Sequence, residues 1–180
     1  QLSERTRSSA TLFRYDMSNM IDSVTLAGGE LQYQNFPSVT AEGLELALNH
    51  RRASGLRLDG SLNVQNVENQ NGTRFDNSPA WYAKGAVSYP FANLMAAGEL
   101  RVIGRRDSVW LDGVLRTLPT EPILDMTLTQ SGVWKSMSAQ LRLTNVFDRK
   151  SFVAASTDTL SPLIPTSPRT LWLTLRYETY

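Results

Sequence analysis

From residue 124 onward the chain alternates apolar and polar positions with a period of two. Leu124, Met126 and Leu128 interleave with Asp125, Thr127 and Thr129. Met137, Ala139, Leu141 and Leu143 interleave with Ser136, Ser138, Gln140, Arg142 and Thr144. Leu171, Leu173, Leu175 and Tyr177 interleave with Trp172, Thr174, Arg176 and Glu178. Successive strand residues project to opposite sides of a sheet, so each run predicts a strand with one apolar and one polar face. The polar face carries charges and is expected to meet water. The leucine face must meet either a second sheet or lipid.

The same period recurs upstream. A strand over about Ser9–Met17 is predicted with Phe13, Tyr15 and Met17 against Arg14 and Asp16. Another, about Val39–His50, sets Leu44, Leu46 and Leu48 against Glu45, Ala47 and Asn49. Gly55–Asn66 is the clearest, with Leu56, Leu58, Leu62 and Val64 against Arg57, Asp59, Ser61, Asn63 and Gln65. Trp81–Tyr89 and Leu94–Arg105 follow. No long window carries the i, i+3, i+4, i+7 spacing of an amphipathic helix. The expected fold is all-β, an antiparallel up-and-down meander of about eight strands.

Connections alternate in length. Arg51–Ser54, Pro90–Asn93 and about Ser131–Lys135 are short, whereas about Ser18–Ser38, Val67–Ala80, Arg106–Pro122 and Asp148–Pro168 are long. A meander with this alternation puts short turns at one end and long loops at the other, the layout of an outer-membrane barrel. Loops beyond ~12–15 residues are uncommon in compact domains, so a rim of them points to function there. Aromatics fall near the strand ends (Trp81, Tyr82, Tyr89, Phe91, Trp134, Phe147, Trp172, Tyr177). They fit interfacial girdles and equally fit ordinary core aromatics.

Composition removes several classes. The 180 residues carry a net charge of +1, which gives no support to nucleic-acid binding. No run approaches the ~18–20 apolar residues of a transmembrane helix. A β-barrel escapes that criterion, because only every second residue of its strands faces lipid. With zero cysteines the chain has no disulfide and no thiolate chemistry. The only histidine, His50, has no partners at catalytic or metal-binding spacing and is read as a turn or interfacial residue. Neither Gly28-Gly29 nor Gly85 sits in a phosphate-cradling strand–loop–helix context. No catalytic residue, metal ligand or cofactor is expected, and the chain is read as a non-enzyme. Gln1 is read as a cut start, since no signal-peptide pattern opens the chain.

Several segments carry a family likeness in chain order: Leu12-Phe13-Arg14-Tyr15-Asp16; Gln34-Asn35-Phe36 with Val39-Thr40-Ala41-Glu42-Gly43-Leu44-Glu45-Leu46; Asn77-Ser78-Pro79-Ala80-Trp81; Leu143-Thr144-Asn145-Val146-Phe147-Asp148; and Pro168 through Tyr177. Over nearly the whole chain this series resembles the C-terminal part of the β-barrel of TonB-dependent outer-membrane receptors. The resemblance implies an integral barrel of the Gram-negative outer membrane, importing a siderophore, metal chelate or similar nutrient. Its expected partners are outer-membrane lipid, the substrate, and the TonB energy-transducing complex acting through a plug domain. Two features depart from the family. Tyr180 stands one step out of phase with the lipid-facing residues of the last strand. No plug or TonB-box segment is recognisable, and eight strands fall short of the ~22 of such barrels. The 180 residues are therefore expected to be one C-terminal segment of a larger transmembrane barrel.

Within that frame, Arg57, Asp59, Lys84, Glu99 and Arg101 are expected to form a polar network on the lumen wall. Loop residues Arg74, Phe75, Arg105, Arg106, Trp110 and Arg149 are the candidate ligand contacts, since arginine with aromatic neighbours suits an anionic chelate. Arg51-Arg52 is read as a solvated or headgroup-facing pair. Two other readings stay open: a self-contained eight-stranded outer-membrane barrel used as an anchor or adhesion module, and a soluble lipocalin-like binder. Pairing of the first strand with the last marks the former, and leucines gathered in a core mark the latter.

Overall fold

The computed structural model describes residues 5–26, 28–75, 77–109, 114–134, 136–154 and 163–178. Their strands are β1 (Thr6–Thr25), β2 (Leu31–Arg51), β3 (Arg57–Asn69), β4 (Trp81–Phe91), β5 (Leu94–Ile103), β6 (Arg106–Val109), β7 (Leu115–Leu118), β8 (Glu121–Trp134), β9 (Met137–Thr144), β10 (Phe152–Ala154), β11 (Leu163–Pro165) and β12 (Thr170–Tyr177). Eight of them make one antiparallel sheet in the order β1-β2-β3-β4-β5-β8-β9-β12. The others form two small hairpins, β6–β7 and β10–β11, inside the long connections. The all-β meander is present, and its three short turns (β2–β3, β4–β5 and β8–β9) share one end.

The first hairpin departs from expectation. Ser18–Ser38 is not a loop: β1 and β2 stay paired out to Thr25↔Leu31. These strands are 20 and 21 residues long, about twice the ~9–11 that cross a membrane.

Register defines the two faces. On one, Leu12, Leu44, Val64 and Trp81 form a row across four strands, and His50, Leu58, Val87, Gly98, Met126, Leu143 and Leu171 form another. On the other, Asn49, Asp59, Ala86, Glu99 and Asp125 align. The register also corrects the phase of β1. Phe13 pairs with Gly43 and Tyr15 with Ala41, which places Phe13, Tyr15 and Met17 on the polar side and Ala10 and Leu12 on the leucine side. Gly43 makes this possible: a Cβ there would meet Val64 O and come within 2.8 Å of Phe13 Cζ. The Phe13 ring lies over the bare backbone of β2.

Neither face closes on a core. Among the described residues the only buried apolar side chains are Val39 and Leu118. Leu12 is 83% exposed and Leu173 67%, so the leucine face is uncovered and the soluble binder is corrected. β1 pairs only with β2, and β12 only with β9. The sheet is an open arc with two free edges, which corrects the self-contained eight-stranded barrel.

Candidate functional site

The polar face carries one connected set of charges. Glu99 on β5 stands directly opposite Asp125 on β8, a like-charge pairing that costs stability when left alone. Arg101 resolves it by reaching both, with Nε 3.4 Å from Glu99 Oε1 and Nη2 3.1 Å from Asp125 Oδ2. Lys84 lies 3.4 Å from Glu99, and Arg142 on β9 lies 3.2 Å from Asp125. Asp125 is the hub. Its side chain is 4% exposed, and its Oδ1 accepts the backbone N–H of Asn145 at 2.9 Å. A buried carboxylate needs this many partners, because desolvation is otherwise unopposed.

Of the expected wall network, Lys84, Glu99 and Arg101 are joined directly. Asp59 shares the face and accepts from Asn49 Nδ2 at 2.7 Å. Arg57 shares it too, opposite Arg51. Sequence reasoning missed Asp125 as the centre, although Asp125 and Arg142 stand at polar positions of the alternation. Their meeting depends on a cross-strand register that includes a shift between Gln130 and Trp134.

A second cluster ties the long connections together at their base. Arg106 opens β6 and is 6% exposed. Its Nε donates to Asn77 Oδ1 at 2.9 Å, and its Nη2 donates to Phe152 O at 2.9 Å and to Glu121 Oε2 at 3.3 Å. Glu121 Oε1 in turn accepts Phe152 N–H at 3.3 Å. Asn77 N–H donates to Asp107 O. Next to it, the Asn145 amide donates to Arg149 O and Ser167 O, and Asn145 N–H reaches Asp125. The Asn77 side chain of the β3–β4 connection and the Phe152 backbone of the β9–β12 connection therefore converge on one buried ion pair, Arg106 with Glu121.

The loop candidates separate accordingly. Arg106 is buried and engaged by these partners. Arg74, whose backbone forms an isolated antiparallel β-bridge with Glu68, and Arg105 and Arg149 are exposed, and Phe75 is half-buried with its N–H on Val67 O. Trp110 and Tyr180 lie outside the described residues. His50 Nδ1 is hydrogen-bonded to Thr6 Oγ1 at 2.8 Å. Among the described residues no group of three metal-ligating side chains converges.

Beyond the leucine rows the outer face turns charged. Arg14 pairs with Glu42 and Asp16 with Thr40, one and two rows past Leu12. Arg14 Nε and Nη2 donate to Asp16, and Thr40 Oγ1 donates to it at 2.9 Å. These bonds, Arg14's first, hold the Asp16 carboxyl below its ordinary pKa. At the turn end of the same face, Tyr89, Phe91, Trp134 and Tyr177 are all exposed. Tyr82 and Trp172 fall on the polar side, the latter opposite Arg142.

The chain's likenesses agree with this architecture. The family model described as TonB dependent receptor-like, beta-barrel matches residues 2–147. No curated protein matches in sequence. Among solved structures, the pyoverdine outer membrane receptor FpvA from Pseudomonas aeruginosa aligns over 97% of this chain and 27% of its own, at 16% identity and TM-score 0.78. The ferric-catecholate import receptor Fiu from E. coli aligns over 97% and 25%, at 20% identity and TM-score 0.75. The siderophore receptor PirA from Acinetobacter baumannii aligns over 97% and 30%, at 15% identity and TM-score 0.75. The chain thus spans about a quarter to a third of the length of these receptors, and at such identities the likeness is one of fold. The two-faced open arc and the family match lead to one statement: this chain belongs to the TonB-dependent receptor β-barrel family of outer-membrane transport receptors.

Proposed function

We propose that this chain is the C-terminal barrel segment of an outer-membrane receptor that imports a siderophore, metal chelate or similar nutrient. Its leucine face meets hydrocarbon and its charged face lines the lumen. Energy comes from the TonB complex acting on a plug domain carried by the rest of the receptor. The observation that carries the reading is the height of the apolar band. On β4 the band runs from Trp81 to Phe91. That is ~33 Å along a strand, or ~25 Å of height at a ~40° tilt, the thickness of the apolar belt of such barrels. Charged rows bound it above and exposed aromatics below, as interfaces require.

On this reading the long connections face the medium. Arg74, Phe75, Arg105 and Arg149 are the ligand contacts, and Trp110 belongs with them by its position in the β6–β7 connection. Arg106 holds the loops that display them. Guanidinium and aromatic groups suit an anionic chelate, and the solved relatives include a receptor bound to pyoverdine and a ferric-catecholate importer.

The test is binding of a panel of ferric siderophores to the complete receptor, followed by uptake in cells with and without TonB. One chelate is expected to bind, with affinity reduced in R74A/R105A/R149A and uptake lost without TonB. Uptake that is unchanged without TonB, or binding by no chelate in the panel, refutes the proposal.

A further inference from the structure

The β9–β12 connection folds around a cavity of about 600 Å³, lined by Arg149, Lys150, Ser151 and Phe152 from the arm that leaves β9 and by Thr166 and Ser167 from the arm that returns to β12. The two arms are pinned to each other. Asn145 is buried and left-handed at φ 50°. Its Nδ2 donates to Arg149 O at 2.9 Å and to Ser167 O at 3.3 Å, and its Oδ1 accepts the Arg149 N–H. Ser151 O accepts both the N–H and the hydroxyl of Thr166. Asp148 Oδ1 accepts the Arg169 N–H. The walls are set before anything enters, which spares a ligand the entropy of ordering them.

The lining is electropositive. Arg149 and Lys150 are exposed, and among the described residues neither side chain enters an ion pair. Asp148 is the acid among the described lining residues, and its carboxylate already accepts the Arg169 N–H. Ser151 adds a demand of a different kind. It is 2% exposed, and its Oγ has no hydrogen-bond partner among the described residues. A buried hydroxyl left unbonded is costly and calls for an ion or water to complete it. Beside a guanidinium and an ammonium, the fitting acceptor for its proton is an oxyanion. We infer that this cavity binds an oxyanion group, carboxylate or phosphate, carried by a larger molecule at the outer surface. Arg149 and Lys150 supply the charge, and Ser151 Oγ donates the hydrogen bond that fixes the group. The volume supports a carrier, since it falls within the ~300–1,000 Å³ of small-molecule sites and far exceeds a bare ion. The inference rests on the proposed function, which turns this connection to the medium. The carrier is then either the imported chelate or a phosphorylated lipid of the outer leaflet.

The experiment treats the complete receptor with an amine-acylating reagent and reads acylation of Lys150 by mass spectrometry, with Lys84, ion-paired to Glu99, as the internal control. Inorganic phosphate is expected to protect Lys150 saturably, and chloride at equal ionic strength to protect it little. S151A should raise the phosphate concentration for half-protection about tenfold, since a hydrogen bond to a charged group is lost. R149Q should raise it about threefold. Two pairs of probes then separate the carriers: a ferric chelate with a free carboxylate against its methyl ester, and bilayers containing phosphorylated glycolipid against the same bilayers dephosphorylated. Protection by only the charged member of either pair supports the inference and identifies the carrier. Equal protection by chloride, no response to S151A, or protection by inorganic phosphate with neither carrier effective overturns it. Failure of the receptor to import any chelate, with Lys150 still protected by the phosphorylated glycolipid, would count against the proposed cargo alone.

Discussion

Replacing Arg106 by methionine tests whether one buried ion pair makes three loops a single body. R106M keeps much of the side chain's length and removes the charge. It deletes hydrogen bonds to Asn77 Oδ1 and Phe152 O, both 2.9 Å, and leaves Glu121 without its cation. The two side chains are 6% and 9% exposed, so solvent does not replace the lost partner. Breaking a buried pair in this way costs about 3–5 kcal/mol. The penalty falls on loop bases outside the main sheet and should therefore appear as local opening. At 1.36 kcal/mol per decade it corresponds to a loss of hydrogen-exchange protection of roughly 200-fold to 5,000-fold. The reporting amides are Asn77, bonded to Asp107 O; Phe152, bonded to Glu121; and Thr166, bonded to Ser151 O. Leu26, bonded to Glu30 O in the β1–β2 turn, is the control and should not change. Adding E121L should recover much of the loss, since an apolar pair of similar volume tolerates burial. Faster exchange confined to β6–β7, or spread evenly over the main sheet, would refute the interlock.

Other outcomes follow from the same geometry. G43A forces a methyl group against Val64 O and Phe13 Cζ, and should cost about 1–3 kcal/mol of urea stability; A47G, elsewhere on β2, should cost at most about 1 kcal/mol. Asp16 titrates below its usual value in the folded hairpin, so its contribution is complete above the unfolded pKa of ~3.9 and fades as pH falls through the lower folded value. Cleavage of the β1–β2 hairpin by an acid protease should therefore rise only below about pH 3.9, and D16N should flatten that dependence. M126R, near mid-height of the leucine face, should lose about 2–4 kcal/mol of stability in bilayers, while T129R on the opposite face should fold normally.

The strands that carry the apolar band were legible because one of their faces is apolar and the other polar. Leu58, Leu62 and Val64 stand out against Arg57, Asp59 and Asn63 for that reason alone. Beyond the band both faces of β1 and β2 carry polar residues. Asp16, Ser18 and Asn19 are then chosen without regard to face, and the extended hairpin reads as a loop. Phe13 misled for a related reason: an aromatic can sit on the polar side wherever a glycine such as Gly43 gives it backbone to cover. The charged face was legible, and Lys84, Glu99 and Arg101 are joined on it as a network, but its hub was not, since Asp125 meets Arg101 and Arg142 only across strands whose register shifts between Gln130 and Trp134. Arg106 resembled a loop arginine offered to ligand. Its burial comes from Asn77, Glu121 and Phe152, which lie far apart along the chain, and no local pattern records that meeting.

Everything proposed depends on which side of the sheet touches lipid, and spin labels read this directly. Single labels at positions 126, 128 and 141 should collide readily with dissolved oxygen and poorly with an aqueous nickel chelate when the complete receptor is in bilayers. Labels at 127, 129 and 140 should show the opposite preference, so that accessibility alternates with every residue. If the chelate instead reached the leucine positions, with oxygen favouring the threonines and glutamine, the account would be contradicted.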